Sequence, residues 1–160
     1  MGDNVTSESI NKSADEPDNL ALLPWLDARS SALVRDIVAT LASHYPDLLA
    51  VVLFGSVARH DERSLTDPQP SDVDLLVIFD TDEDPVHLPR GLDITHTIGQ
   101  ARNRHLDAPR EVQVMFATSA MREWDTTFIA NVARDGLLLW ARGPLPQPLN
   151  AMERAQAHHW

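Results

Sequence analysis

The clearest hydrophobic pattern of the chain lies before Pro46. Apolar residues recur at helical spacing from Leu33 to Leu41, which predicts a helix that Pro46 ends. Serine favours the N-cap position because its hydroxyl accepts a hydrogen bond from the first free backbone amides, so we expect Ser30 or Ser31 to cap this helix.

Strand-like runs follow the helix. An uninterrupted apolar run at 48–54 is typical of a strand buried on both faces, 72–79 is apolar after its first turn, and 111–116 alternates polar and apolar residues. The other predicted elements are a short helix from 57 to 60, helices near 92–106 and 119–134, and a short strand at 137–140. This mixed order of helices and strands predicts an α/β or α+β domain.

The two ends of the chain differ from its middle. Residues 1–19 carry five acids and little to bury, so we expect a disordered acidic leader. Prolines at 144, 146 and 148 predict a stiff C-terminal tail over 143–160. The domain itself is expected to span 20–142.

The composition of the chain excludes several classes of function. The net charge of −11 argues against direct binding of nucleic acid through a broad basic surface. The sequence contains no cysteine, which excludes disulfides and thiolate chemistry, and no apolar run long enough to span a membrane. We therefore expect a soluble, cytoplasmic protein that does not bind a membrane. A small arginine group, Arg102, Arg104 and Arg110, is expected to be a solvated helix face rather than a surface for RNA or an acidic partner.

One pair of aspartates stands in a distinctive context. Three Asp-x-Asp pairs occur in a chain with 17 aspartates, so their number alone carries no information. Asp72 and Asp74, however, open an apolar strand, and the period of two places both carboxylates on one face. Such a pair suits Mg²⁺, which prefers one or two carboxylates plus phosphate oxygens. A solvated strand end is the alternative interpretation.

Gly55 and Ser56 lie where the preceding strand opens into a helix. Glycine lets the backbone approach a phosphate closely, and the amides of the helix start can donate to it together with the serine hydroxyl. Taken alone, the pair could equally be a plain strand-to-helix turn.

Together, these features form the segment LFGSVARHDERSLTDPQPSDVDLLVIFD, which resembles the minimal nucleotidyltransferases of the DNA polymerase beta-like superfamily. The resemblance covers roughly 30–142 and is strongest over 51–79. It implies a nucleotidyltransferase fold, with a small mixed β-sheet flanked by helices.

The resemblance also implies roles for individual residues. Gly55 and Ser56 would bind the phosphates of a nucleoside triphosphate, with ATP as the substrate, and Arg59 would contact a phosphate unless it is a surface arginine beside Asp61. Asp72 and Asp74 would bind two Mg²⁺ ions. Small members of the family often act as antitoxins that modify a HEPN-type ribonuclease toxin, which makes such a toxin the expected protein partner.

The chain departs from the family pattern at three places. Fifteen residues separate Ser56 from Asp72, more than is usual, and His60 stands where glycine is frequent. The third metal-binding carboxylate of the family aligns with Gln113, which is neutral and cannot accept a proton. Glu111, two residues earlier on the same strand face, could replace it.

Two functions follow from these observations. One is Mg²⁺-dependent transfer of a nucleoside monophosphate to a hydroxyl of the partner. The other is a catalytically impaired domain that neutralises its partner by contact. Modification of an antibiotic is the weaker interpretation, because the chain has little beyond the core from which to build a drug pocket.

Overall fold

The computed structural model describes residues 23–81, 90–119 and 125–152. In chain order the elements are α1 (Ala28–His44), β1 (Leu48–Phe54), α2 (Gly55–Arg59), β2 (Val73–Phe79), α3 (Arg90–Asn103), β3 (Val112–Thr118), α4 (Thr126–Asp135) and β4 (Leu137–Ala141). The fold is therefore a mixed α/β structure, as the element order predicted. The expected leader at 1–19 lies outside the described residues.

The four strands form one sheet with the order β3-β2-β1-β4. β1 is antiparallel to both of its neighbours, whereas β2 and β3 run parallel, so the sheet is mixed. The uninterrupted apolar runs of β1 and β2 occupy its two central positions, where both strand faces are buried.

Helices cover one face of the sheet. Leu33, Ile37 and Leu41 of α1 and Ile94 of α3 pack with Leu53 and other strand residues in one apolar cluster. Burial of this apolar helix stripe against the sheet removes apolar surface from water and so stabilises the fold.

The second face is covered by α4 and by the segment after β4. Ile129 and Val132 of α4 pack on Leu76 and Ile78 of β2, together with Leu145, Leu149 and Met152. The segment expected as a stiff spacer thus contributes buried side chains to the core, because its leucines fall between the prolines.

Some helix boundaries differ from the sequence expectations. The cap of α1 is Asp27, whose carboxylate accepts from the Ser30 amide at 2.9 Å, so neither serine is the cap. Ser30 is instead buried, and its hydroxyl accepts from the Arg110 amide at 3.2 Å. α4 begins at Thr126 instead of near 119, since Ser119 donates from its backbone to Phe79 across the sheet. Residues 120–124 lie outside the described part.

None of the helices in the described ranges is long and apolar enough to cross a membrane.

Candidate active site

The site begins at the tight turn from β1 into α2. Gly55 adopts φ of +81°, a conformation that side chains other than glycine adopt only with strain. A Cβ at position 55 would overlap the Oδ2 atom of Asp74 and would lie 3.3 Å from its Cγ atom. Only glycine therefore allows the backbone of this turn and the Asp74 carboxylate to pack together.

Asp74 lies on the same face of β2 as Leu76 and Ile78, which is the face covered by α4, and Asp72 directly precedes the strand, two residues before Asp74. Both aspartates are partly buried. Burial raises the pKa of the Asp74 carboxyl, the negative charge of Asp72 raises it further, and the positive charge of Arg59 partly lowers it. The two carboxylates thus repel each other at a place where water only partly screens them.

Arg59 ends α2 on the exposed side of the turn. Its guanidinium forms an ion pair with Asp61, with 3.3 Å between Nε and Oδ2. Because it also acts electrostatically on Asp74, it brings positive charge close to both the glycine turn and the carboxylates.

The neighbouring strand places a glutamine next to Asp74. In the parallel pairing of β2 and β3, Asp74 is the register partner of Gln113, and Val73 is that of Val112. Glu111 lies just before β3, where it is exposed and its backbone carbonyl accepts from the Val73 amide at 2.8 Å. Gln113 and Glu111 share a strand face, so both are candidates for the third position.

The donor set of this site suits a hard cation. Carboxylate oxygens of Asp72 and Asp74, with the neutral amide oxygen of Gln113 beside them, are the ligand type that Mg²⁺ accepts. Within residues 23–81, 90–119 and 125–152, no group of three or more Asp, Glu or His side chains is placed to hold a metal ion. The charge of the site therefore comes from the aspartate pair.

Arg110 supports the start of β2, a role that the sequence did not indicate. It is buried, with only 6% of its surface exposed, and its Nη1 atom donates to the Ser71 carbonyl at 2.8 Å. Arg110 thus holds the residue before Asp72. The other two arginines of the group have different partners: Arg102 donates to the Val112 carbonyl, and Arg104 pairs with Asp36. The expectation of one solvated helix face is therefore wrong for Arg110. No local signal separates Arg110 from two other arginines nearby in the sequence.

A pocket of about 660 Å³ lies at the opposite end of the sheet, lined among others by Asp47, Asp80 and Arg142. Asp47 accepts two hydrogen bonds of 2.6 Å from Arg90, and Arg142 donates to several backbone carbonyls, including that of Ala42 at 2.8 Å. The side chains of Asp47 and Arg142 thus already have partners, and Asp80 is exposed, so this pocket offers no buried charge without a partner among the three.

The family model Polymerase beta, Nucleotidyltransferase matches residues 36–144 of the chain. The match includes the glycine turn, the aspartate pair and both candidates for the third position. No curated protein matches the chain.

The chain is also similar to two solved structures. One is a candidate nucleotidyltransferase from Sulfolobus solfataricus, with 24% identity over 69% of this chain and 78% of that chain and a TM-score of 0.44. The other is a toxin–antitoxin structure with AMP-PNP, with 20% identity over 78% of this chain and 85% of that chain and a TM-score of 0.44.

Proposed function

The chain belongs to the polymerase beta nucleotidyltransferase family, and we propose that it transfers AMP from ATP to a hydroxyl group of a partner protein. The observation that carries this proposal is the packing of Asp74 against Gly55, within the matched segment. It puts a carboxylate that can hold a metal directly beside a backbone turn that can hold a phosphate.

The residues of the turn would bind the triphosphate. The Asp74 carboxylate fills the space beside the Gly55 Cα atom, so the phosphate would bind at the neighbouring Ser56, whose amide and hydroxyl can donate to it. Arg59 adds the positive charge that a polyphosphate requires. These groups would orient the α-phosphate toward the side of the sheet on which Asp72 and Asp74 lie.

The aspartate pair would hold two Mg²⁺ ions. Bound Mg²⁺ would supply the positive charge that stabilises the attacking and leaving oxygens. Asp74 is well suited to this task, because burial and Asp72 make its carboxylate costly without a cation.

The transfer itself is a substitution at phosphorus. The hydroxyl oxygen of the acceptor would form a bond to the α-phosphorus, the bond to the bridging oxygen would break, and pyrophosphate would leave. The hydroxyl proton needs an acceptor, and of the two side chains at the third position only Glu111 can take it, because Gln113 is not basic.

We propose a HEPN-type ribonuclease toxin as the partner, which makes this chain its antitoxin. The net charge of −11 supports this choice, because a ribonuclease must present a basic surface to RNA and an acidic protein complements such a surface. We place the activity in the cytoplasm, where ATP is available.

One observation favours a second candidate function. Gln113 occupies the register position beside Asp74, where a third carboxylate would lie. A domain without that carboxylate could bind its partner and neutralise it by contact, with no nucleotide transfer.

The test is Mg²⁺-dependent transfer of label from α-³²P-ATP to a purified HEPN-type ribonuclease encoded beside this chain. We expect labelled ribonuclease with the wild type and a loss of at least about 100-fold in Asp72→Asn/Asp74→Asn. Asp80→Asn is the matched control, because this exposed aspartate follows the other end of β2.

Variants at the third position separate the two candidate functions. A loss of label in Glu111→Gln, but not in Gln113→Ala, would identify Glu111 as the proton acceptor. No label with the wild type, together with equal inhibition of the ribonuclease by the wild type and the double aspartate variant, would refute transfer and favour the contact function.

A further inference from the structure

α2 is too short to hold its own orientation. It has five residues, and its N-cap residue, Phe54, makes no side-chain capping hydrogen bond. An isolated helix of this length is unstable in water, so tertiary contacts must fix it. Val57 and Ala58 are buried against the core on one side, which leaves the C-terminal end of the helix to be held by other means.

Trp25, which lies before α1, provides that contact. Its indole Nε1 atom donates to the Val57 carbonyl at 2.7 Å. This carbonyl lies near the C-terminal end of α2 and also accepts from the His60 amide at 3.2 Å, so Trp25 adds a second hydrogen bond to it. Trp25, which is far from Gly55 in the sequence, thus contacts the C-terminal end of α2, the helix that follows the glycine turn.

The same tryptophan also contacts the residue that follows the helix. The Trp25 and His60 rings are stacked, with 4.5 Å between their centroids and 16° between their planes. His60 adopts φ of 58° and ψ of 40°, the left-handed conformation that residues other than glycine rarely take. The stacking contact offsets the cost of this conformation, so Trp25 holds both Val57 and His60.

Arg59 lies between these two anchored residues. Its guanidinium pairs with Asp61, whose amide in turn donates to the Ser56 carbonyl at 3.0 Å. A shift of the end of α2 would therefore move Arg59 and Ser56 together. We propose that Trp25 is a positioning residue for the nucleotide phosphates, acting through α2, an inference that rests on the proposed function.

The first measurement concerns α2 itself. Trp25→Phe retains an aromatic ring that can stack but removes the indole donor, and we expect the His60 and Asp61 amides to exchange hydrogen about fivefold faster by NMR. His60→Gly removes the stack and also relieves the left-handed strain, so its amide exchange reports the sum of the two effects, whereas Trp25→Phe changes the hydrogen bond and leaves the strain in place.

The second measurement concerns the nucleotide. In the transfer assay, Trp25→Phe should raise the KM for MgATP about fivefold, with kcat changed less than twofold, because the phosphate groups are misplaced while the carboxylates stay. The Kd for ATP, from calorimetry, should rise by a similar factor. Asp36→Asn is the matched control, since it weakens the packing of α1 on α3 without touching α2.

Each outcome bears on the inference separately from the proposed function. Unchanged amide exchange in Trp25→Phe, or an equal rise in KM in Asp36→Asn, would overturn the positioning role. If the wild type binds no ATP, the proposed function fails and the phosphate part of the inference fails with it. Faster exchange would then show only that Trp25 holds α2.

Discussion

Two aspartates of this protein, Asp36 and Asp74, lie in opposite electrostatic surroundings. Asp36 on α1 accepts hydrogen bonds from Arg104, Thr40 and His105. These donors, with Arg104 the strongest, lower the pKa of its carboxyl to about 2. At Asp74, burial and the negative charge of Asp72 raise the pKa, and only Arg59 acts against them.

The difference separates a carboxylate that joins two helices from one that we propose binds a metal ion. The charge of Asp36 is matched by donors from α1 and from the end of α3, so it joins the two helices. The surroundings of Asp74 include a second carboxylate, a glycine without a side chain and a neutral glutamine as register partner, and the charge of Arg59 offsets the repulsion only in part. A carboxylate kept in such a place costs stability until a cation binds, and uncompensated charge of this kind marks candidate functional sites.

The largest expected effect comes from Gly55→Ala. The new methyl group would overlap the Asp74 carboxylate and force a strained backbone conformation, so the carboxylate must move. We expect transfer activity to fall at least about 100-fold, the usual cost of displacing a reacting group by about 1 Å.

Gly99→Ala is the matched control for this change. Gly99 lies inside α3 with open space around its Cα, so the same methyl group should raise the free energy of unfolding by about 0.5–1 kcal/mol. Full activity in Gly55→Ala would mean that the phosphates do not bind at the turn from β1 into α2.

Asp36→Asn should lower stability, measured by urea unfolding. Arg104 is half exposed to solvent, which screens the pair, so we expect a loss of only about 1 kcal/mol at pH 7. Because the folded-state pKa of Asp36 lies below its ordinary value, the carboxylate stabilises the fold above about pH 4, and this contribution disappears as the pH falls toward 2. A difference from the wild type that stays constant down to pH 2 would contradict this account.

Asp74→Asn should raise stability slightly, whereas Asp36→Asn lowers it, and we expect this to be the smallest of the predicted effects. With EDTA present, the variant should melt at a higher temperature than the wild type at pH 7, because a carboxyl with a raised folded-state pKa destabilises the fold when ionised. The difference should vanish below the ordinary aspartate pKa of 3.8, where both folded and unfolded wild type are protonated. Asp107→Asn, in an exposed pair with Arg29, should change the melting temperature little at either pH. A lower melting temperature for Asp74→Asn would remove the contrast with Asp36.

Local patterns in the sequence predicted most of the fold. The apolar runs became β1 and β2 with bounds correct to one residue, and the alternating run became β3. They could be predicted because strand and helix periods are properties of neighbouring residues. The assignment of Gln113 to the third-carboxylate position came from the family resemblance and stays a prediction, whereas the pairing of Gln113 with Asp74 was seen only in the register of β2 and β3.

Long-range contacts could not be predicted in this way. Arg102, Arg104 and Arg110 are close in sequence, yet they bind a β3 carbonyl, an α1 carboxylate and the Ser71 carbonyl. Their side chains are chemically alike, and only the packing of α1, α3 and β3 gives each a different partner.

The sequence by itself therefore determined the elements, the acidic character and the pairing of Asp72 with Asp74 on one strand face, because each depends on composition or on residues a few positions apart. The tertiary structure alone decided that Asp74 packs against Gly55, that Arg110 is buried behind Ser71 and that Trp25 holds the end of α2. These contacts join residues separated by many positions, and they form only when burial of the apolar faces has brought the elements together.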